Sequence, residues 1–180
     1  MSDHKIQLQP FNFDSTTLNI EIKTRIHRQS KILNIDYHLQ GDLSQIVLPE
    51  VEPCISRQDN LWQTTCFEFF LAIFNTPEYW EFNLAPTGDW NIYRFAKYRR
   101  GMQPETRFEH LPLKVESQEN SYYLETAIAL DKIVSGDTPL EIAVTIVIED
   151  TQGNISYWAI SHPGTEADFH RRDSFILLGE

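Results

Sequence analysis

Cysteine is nearly absent: Cys54 and Cys66 are the only two in 180 residues. One lies in a proline-containing stretch and the other in an alternating apolar run, so no disulfide framework is indicated and reduced thiols are expected. Basic residues are scarce as well, 15 against 26 acidic ones, which gives a formal charge of −11. Nonspecific attraction to nucleic acid or to an anionic membrane would work against that field, and both are excluded as principal partners. No apolar run approaches the roughly 18 residues of a membrane-crossing helix, and the start, MSDHKIQLQP, has no apolar leader-like core. A soluble, cytoplasmic protein is expected. Internal repeats and low-complexity tracts are lacking, and helical periodicity is nearly so. With 41% hydrophobic residues, one domain over residues 1–180 can bury a core without metal or disulfide staples.

What is present is alternation. Leu18, Ile20, Ile22 and Ile26 fall on one side of one run, and Leu33, Ile35, Tyr37 and Leu39 on one side of the next, the signature of half-buried antiparallel strands. Ile46 to Leu48 reads as a short strand before a long proline-bearing loop that leads to Trp62. Leu140 to Glu149 is almost wholly apolar and β-branched, which predicts a strand buried on both faces. Strands of this kind, about eleven or twelve of them, define an all-β chain: a two-sheet antiparallel β-sandwich of jelly-roll type.

The densest stretch runs from Leu61 to Met102 and reads as a three-stranded meander. Closing its first turn symmetrically over Asn75–Glu78 sets Phe74 opposite Tyr79, with Phe67, Phe69, Leu71 and Ile73 sharing a core face with Trp80, Phe82 and Leu84. The other face then carries Cys66, Glu68, Phe70 and Ala72 beside Tyr79, Glu81, Asn83 and Ala85. At the second turn Gly88 can host a bulge, which would send Tyr93 and Phe95 into the core and bring Trp90, Ile92 and Arg94 to the polar face, Arg94 opposite Glu81. On this register Glu68 and Glu81 stand about 13 Å apart along the sheet. A glycosidase pair needs roughly 5 to 9.5 Å, so hydrolysis is not expected.

Trp62, Glu68, Glu81, Asn83, Trp90 and Arg94 combine ring faces with directed hydrogen-bonding groups, which is what holding a small polar ligand requires. The same groups would also serve a covered structural network in which buried polar atoms satisfy one another. Cys66, in a strand without a basic neighbour, is read as packing. The C-terminal segment holds His162, Asp168, His170 and Asp173, a set able to ligate Zn, Mn or Fe if three converged. It matches no standard ligand spacing, and Arg171 and Arg172 are at hand to pair the acids. A hydrogen-bonded loop is the expectation, with a metal-dependent enzyme using His162, Asp168 and His170 as the rival reading.

LWQTTCFEFFL, YWEFNLAPTGDWNIYRFAKYRRGM and YWAISHPGTEADFHRRDSF, in that order, resemble the DOMON-like proteins of bacteria, relatives of the family-nine carbohydrate-binding modules. The resemblance implies a β-sandwich that binds a carbohydrate or similar small polar ligand without catalysis. In the related modules a Trp and a Glu six residues later belong to the saccharide site, a spacing that Trp62 and Glu68 match. Trp158 is the candidate for a second stacking indole. Other DOMON relatives bind haem through Met with His or Lys, for which Met102 with His162 or His170 would be the pair. Met more often fills packing gaps than it ligates iron, so neither haem nor a divalent metal is expected.

Overall fold

The computed structural model describes residues 2–12, 18–135 and 138–178. One antiparallel sheet holds five strands in the order β1-β3-β4-β10-β9: β1 (Ser2–Gln7), β3 (Ile20–Gln29), β4 (Ile32–Gly41), β9 (Leu113–Gln118) and β10 (Ser121–Ala129). The second is eight-stranded, in the order β2-β12-β11-β5-β6-β7-β8 with β13 also paired to β11. Its members are β2 (Gln9–Pro10), β5 (Cys66–Ile73), β6 (Tyr79–Leu84), β7 (Trp90–Phe95), β8 (Gln103–Pro104), β11 (Leu140–Glu149), β12 (Ile155–Ala159) and β13 (Ile176–Leu178). The two-sheet sandwich is as expected, with thirteen strands among the described residues because two-residue pairings close the sheet edges. Ile46–Leu48 is not a strand: a 3-10 turn over Leu43–Gln45 precedes it, and only Ile46 makes an isolated bridge, to Asp150.

Alternation sorts the side chains as a half-buried sheet requires. Ile22 and Ile26 from β3, Leu33, Ile35, Tyr37 and Leu39 from β4, and Tyr122, Leu124 and Ile128 from β10 meet Phe67, Phe69, Leu71, Trp80, Phe82 and Leu84 of the second sheet. Each such side chain taken from water contributes roughly 1.5–3 kcal/mol. Tyr37 ties the layers: its ring packs edge-on against Phe67 at 5.2 Å, and its hydroxyl donates to the Glu68 carbonyl at 2.6 Å. The inward Phe67, Phe69 and Leu71 therefore oblige Cys66, Glu68, Phe70 and Ala72 to face away from the first sheet.

That outward face is not solvated. Cys66, Phe70, Ala72, Tyr79, Tyr93, Phe95, Ala143, Val147, Ala159 and Phe169 form a second buried cluster, which accounts for a β11 that is apolar on both faces. Two registers differ from expectation. The first hairpin pairs Ala72 with Tyr79 and Phe70 with Glu81, because the chain already turns at Ile73, where Thr76 bonds back to the Ile73 carbonyl through its N–H and its hydroxyl. The slip is of two residues, so every side chain keeps its face. At the second hairpin the bulge forms at Gly88, φ +95°, whose N–H donates to the Ala85 carbonyl at 3.0 Å while the Ala85 N–H donates to the Asp89 carbonyl at 2.8 Å. It sets Gly88 and Asp89 opposite Ala85 without shifting the third strand by one, so Arg94 pairs with Trp80 rather than Glu81. Parity in β7 is thus opposite to that expected: Trp90 and Ile92 join the inter-sheet core, while Tyr93 and Phe95 lie on the outward face.

Gly41 ends β4 at φ +136°, and a Cβ there would stand 2.3 Å from the Asn19 carbonyl oxygen. Gly41→Ala should lower unfolding free energy by about 2 kcal/mol or more. Gly153→Ala, at φ +83° with open space around it, should cost only about 1 kcal/mol. Urea denaturation of both variants checks the difference.

Candidate functional site

The outward face of β5 and β6 forms the floor of a cleft of about 440 Å³. Glu68 and Glu81 rise from adjacent strands, with Phe70 between them on the β5 side, and the walls are Trp62, Phe95, Arg99, Met102, Phe169 and His170. Trp62 sits in a 3-10 turn (Leu61–Gln63) and is half-buried. Its indole meets the Tyr93 ring edge-on at 5.7 Å. Tyr93 is fixed in turn by its hydroxyl, which donates to Asp59 at 2.5 Å, and Asp59 also accepts from the Asn91 amide at 2.9 Å.

The C-terminal loop reaches this face. The His170 ring packs against Phe70 at 5.1 Å, Phe95 at 5.2 Å and Tyr79 at 5.8 Å. Its Nδ1 lies 2.8 Å from the Tyr79 hydroxyl, which also accepts from the Arg99 N–H at 3.1 Å. With Tyr79 donating to Nδ1, the tautomer so assigned turns Nε2–H toward Glu81, whose Oε2 is 3.7 Å away. Asp168 anchors the loop: it accepts from the Tyr98 hydroxyl, pairs with Arg99 at 2.7 Å and accepts from the His170 N–H at 3.1 Å.

Glu68 is 2% exposed, and its Oε1 has no hydrogen-bond partner. Burial, followed by the charge of Glu81, pushes its carboxyl well above the ordinary range. Glu81 accepts from the Asn83 amide at 2.8 Å, yet burial still lifts it to about 7. His170 is pushed down to about 4 by burial and by the Arg99 charge. At neutral pH the contact between His170 and Glu81 is therefore not an ion pair. The two acids are diagonal neighbours, Glu68 opposite Asn83 and Glu81 opposite Phe70, which spaces their backbone positions by about 7–8 Å. The 13 Å separation expected from sequence is corrected.

Of the expected ligand residues, the fold brings together Trp62, Glu68, Glu81 and Asn83. Trp90 is buried in the inter-sheet core beneath the Arg57 guanidinium, 4.2 Å from its ring, so it presents no ring face to the cleft. Arg94 lies on the inter-sheet side near the sheet edge, bonded to Glu78 at 2.6 Å. Trp158 is also core, and its indole N–H donates to Ser156 at 3.0 Å. The possible metal ligands do not converge: the His162 Nε2 lies 2.8 Å from the Gln9 carbonyl, Asp168 is held by Tyr98 and Arg99, and His170 by Tyr79. Among the described residues no group of three His, Cys, Asp or Glu side chains is placed to hold a metal ion. Met102 and His170 do line one cleft, but Tyr79 and Glu81 face the two ring nitrogens of His170, an arrangement that does not fit an iron ligand.

Sequence reasoning missed Arg99 and Phe95 as wall residues, and took His170 only as a metal candidate. The wrong parity at the second turn hid Phe95. Nothing local marks Arg99 or His170, because 70 or so residues separate the segments that meet here.

No protein-family model matches the chain, and no curated protein sequence matches it. Solved structures do. A protein of Bacteroides uniformis named as a "putative carbohydrate-binding protein" superposes with a TM-score of 0.73 at 14% identity, over 97% of this chain and 85% of that one. A family-nine carbohydrate-binding module of Caldicellulosiruptor kristjanssonii, solved with glucose, gives 0.53 at 15% identity, over 91% and 78%. The chain shares their fold.

The raised carboxyl groups carry a sign for stability. An acid whose folded pKa exceeds its unfolded value loses stability as pH rises from about 4.5 through the folded value, on the order of 3 kcal/mol for Glu81. Glu68→Gln and Glu81→Gln should therefore raise Tm relative to wild type at pH 8 and do so much less at pH 5. Thermal melts at the two pH values check this, and a loss of Tm in both variants at pH 8 would contradict it.

Proposed function

We propose that the protein is a non-catalytic binding domain that takes a carbohydrate, or a small polar molecule of similar shape, in the cleft above Glu68 and Glu81. The observation that carries this is the Glu68 carboxyl: buried, with one oxygen unpartnered, at the floor of a cleft walled by aromatic rings. A satisfied structural network would leave no such acceptor, since an unmatched buried polar atom costs about 1–3 kcal/mol. A ligand hydroxyl donating to Oε1 removes that cost, and Trp62 at the rim offers its indole to a pyranose C–H face. The shared fold with a module solved in complex with glucose supports the choice of ligand class.

A hydrolytic role fits less well although the two acids stand on closer strand positions than expected. Both rise from one face of one sheet, so both approach a ligand from the same side, whereas glycoside cleavage requires them to flank the scissile bond. The proposal extends to kinship with the DOMON-like proteins and to a cytoplasmic setting, in keeping with two free thiols, Cys54 exposed and Cys66 buried.

Trp80, Trp90 and Trp158 are buried, which leaves Trp62 as the indole that a ligand in the cleft would perturb most. Titration with mono- and oligosaccharides should shift tryptophan fluorescence saturably. Trp62→Ala and Glu68→Gln should each weaken binding by about 1–3 kcal/mol. Silence across the panel at millimolar sugar would end the carbohydrate reading.

A further inference from the structure

The cleft sets two carboxyl groups side by side, and among the described residues the one cation that lines it is paired with a different acid. From β5 the groups facing the pair are Cys66 and Glu68 itself; from β6, Tyr79; from β7, Tyr93 with Asp59 behind it; from β12, Tyr157 on the cleft wall; from the loop after β7, Arg99; and from the C-terminal loop, Asp168 and His170. Burial keeps the Cys66 thiol and the Tyr79 and Tyr93 hydroxyls protonated and neutral. Arg99 is the one guanidinium or ammonium among the described residues lining the cleft, and its charge is matched by Asp168 at 2.7 Å. His170, its Nδ1 at the Tyr79 hydroxyl, adds no charge at neutral pH.

We propose that the ligand carries a protonated amine, seated between Glu68 and Glu81; within the carbohydrate reading above, on which this rests, it is an amino sugar. A neutral hydroxyl can satisfy the unpartnered Oε1 of Glu68, but it leaves the two carboxyl groups opposed. A cation answers both needs. Charge-assisted N–H···O bonds of about 2.7–2.9 Å on two sides of one nitrogen bridge oxygens up to roughly 5.5 Å apart, a span within reach of side chains on diagonal positions about 7–8 Å apart. Trp62, Phe70 and Phe95 line the same space, and ring faces attract an ammonium further once water is excluded.

The proton balance follows. At neutral pH the carboxyl pair holds at least part of a proton, which the ammonium replaces, so binding expels it to solvent. Affinity then falls as pH drops below about 7, where Glu81 takes up its proton.

The full chain should be titrated calorimetrically with glucosamine, N-acetylglucosamine, glucose and ethanolamine at pH 6.8 and 5.5, in two buffers of different ionisation enthalpy. Glucosamine should bind at least 10-fold tighter than glucose or N-acetylglucosamine at pH 6.8, release part of a proton, and lose that advantage at pH 5.5. In Glu81→Gln the preference for glucosamine over glucose should shrink to under threefold; the wild-type comparison stands whether or not that variant folds. Equal binding of glucose and glucosamine without proton release would overturn the amine and support the carbohydrate reading. Ethanolamine binding with silence toward every sugar would support the ammonium site and overturn the carbohydrate reading. No heat with any probe would overturn both.

Discussion

The alternation of side chains along β5 decides what the rest of the molecule must do. Phe67, Phe69 and Leu71 are locked against the first sheet, and the Tyr37 hydroxyl holds the Glu68 carbonyl from that side. A one-residue slip would carry the whole aromatic set to the wrong face. With the inward face so fixed, Cys66, Glu68, Phe70 and Ala72 must point outward. That face is too apolar to leave in water, so the C-terminal loop and the segment after β7 fold over it, with Phe169 and His170 packed on Phe70. The cleft is the space these coverings leave open around the two acids.

Covering the face desolvates Glu68 and Glu81, and the bonds that Cys66 and Thr145 offer Glu68 offset this only in part. Asn83 supplies one hydrogen bond to Glu81. Arg99, the nearest guanidinium, is turned to Asp168. Elsewhere the same chain treats a buried acid differently: Glu105 is 4% exposed, but bonds from Arg107 and the Trp80 indole outweigh its burial and hold it down at about 2. The contrast separates a structural carboxylate, fully paired, from a pair kept short of partners where a ligand has room to enter. Strongly perturbed acids in a cleft are where function is to be sought.

Much of this was legible in the residues. The inward set Phe67, Phe69, Leu71, Trp80, Phe82 and Leu84, the burial of β11 on both faces, and the shared face of Glu68, Glu81 and Asn83 all follow from period two, which survives the two-residue slip at the first hairpin. Register did not follow, because it is set by where a turn closes. Thr76 bonding back to Ile73 shortens the pairing, and the bulge at Gly88 sets Asp89 opposite Ala85 without shifting the strand that follows. Those two turns moved Glu81 beside Glu68, sent Trp90 and Arg94 to the inner side, and brought Phe95 to the cleft.

By itself the sequence determined the fold class, the faces of β5, β6 and β11, and the shared face of Glu68 and Glu81, because alternation and hydrophobicity are local properties that each strand carries in its own residues. Only the tertiary structure decided that His170 and Arg99 stand over those acids, that Asp168 neutralises the arginine, and that His162 belongs elsewhere. Such meetings join segments about 70 to 150 residues apart. They arise because covering an apolar sheet face is favourable wherever the covering chain comes from, a driving force that has no direction and leaves no periodic trace in the sequence.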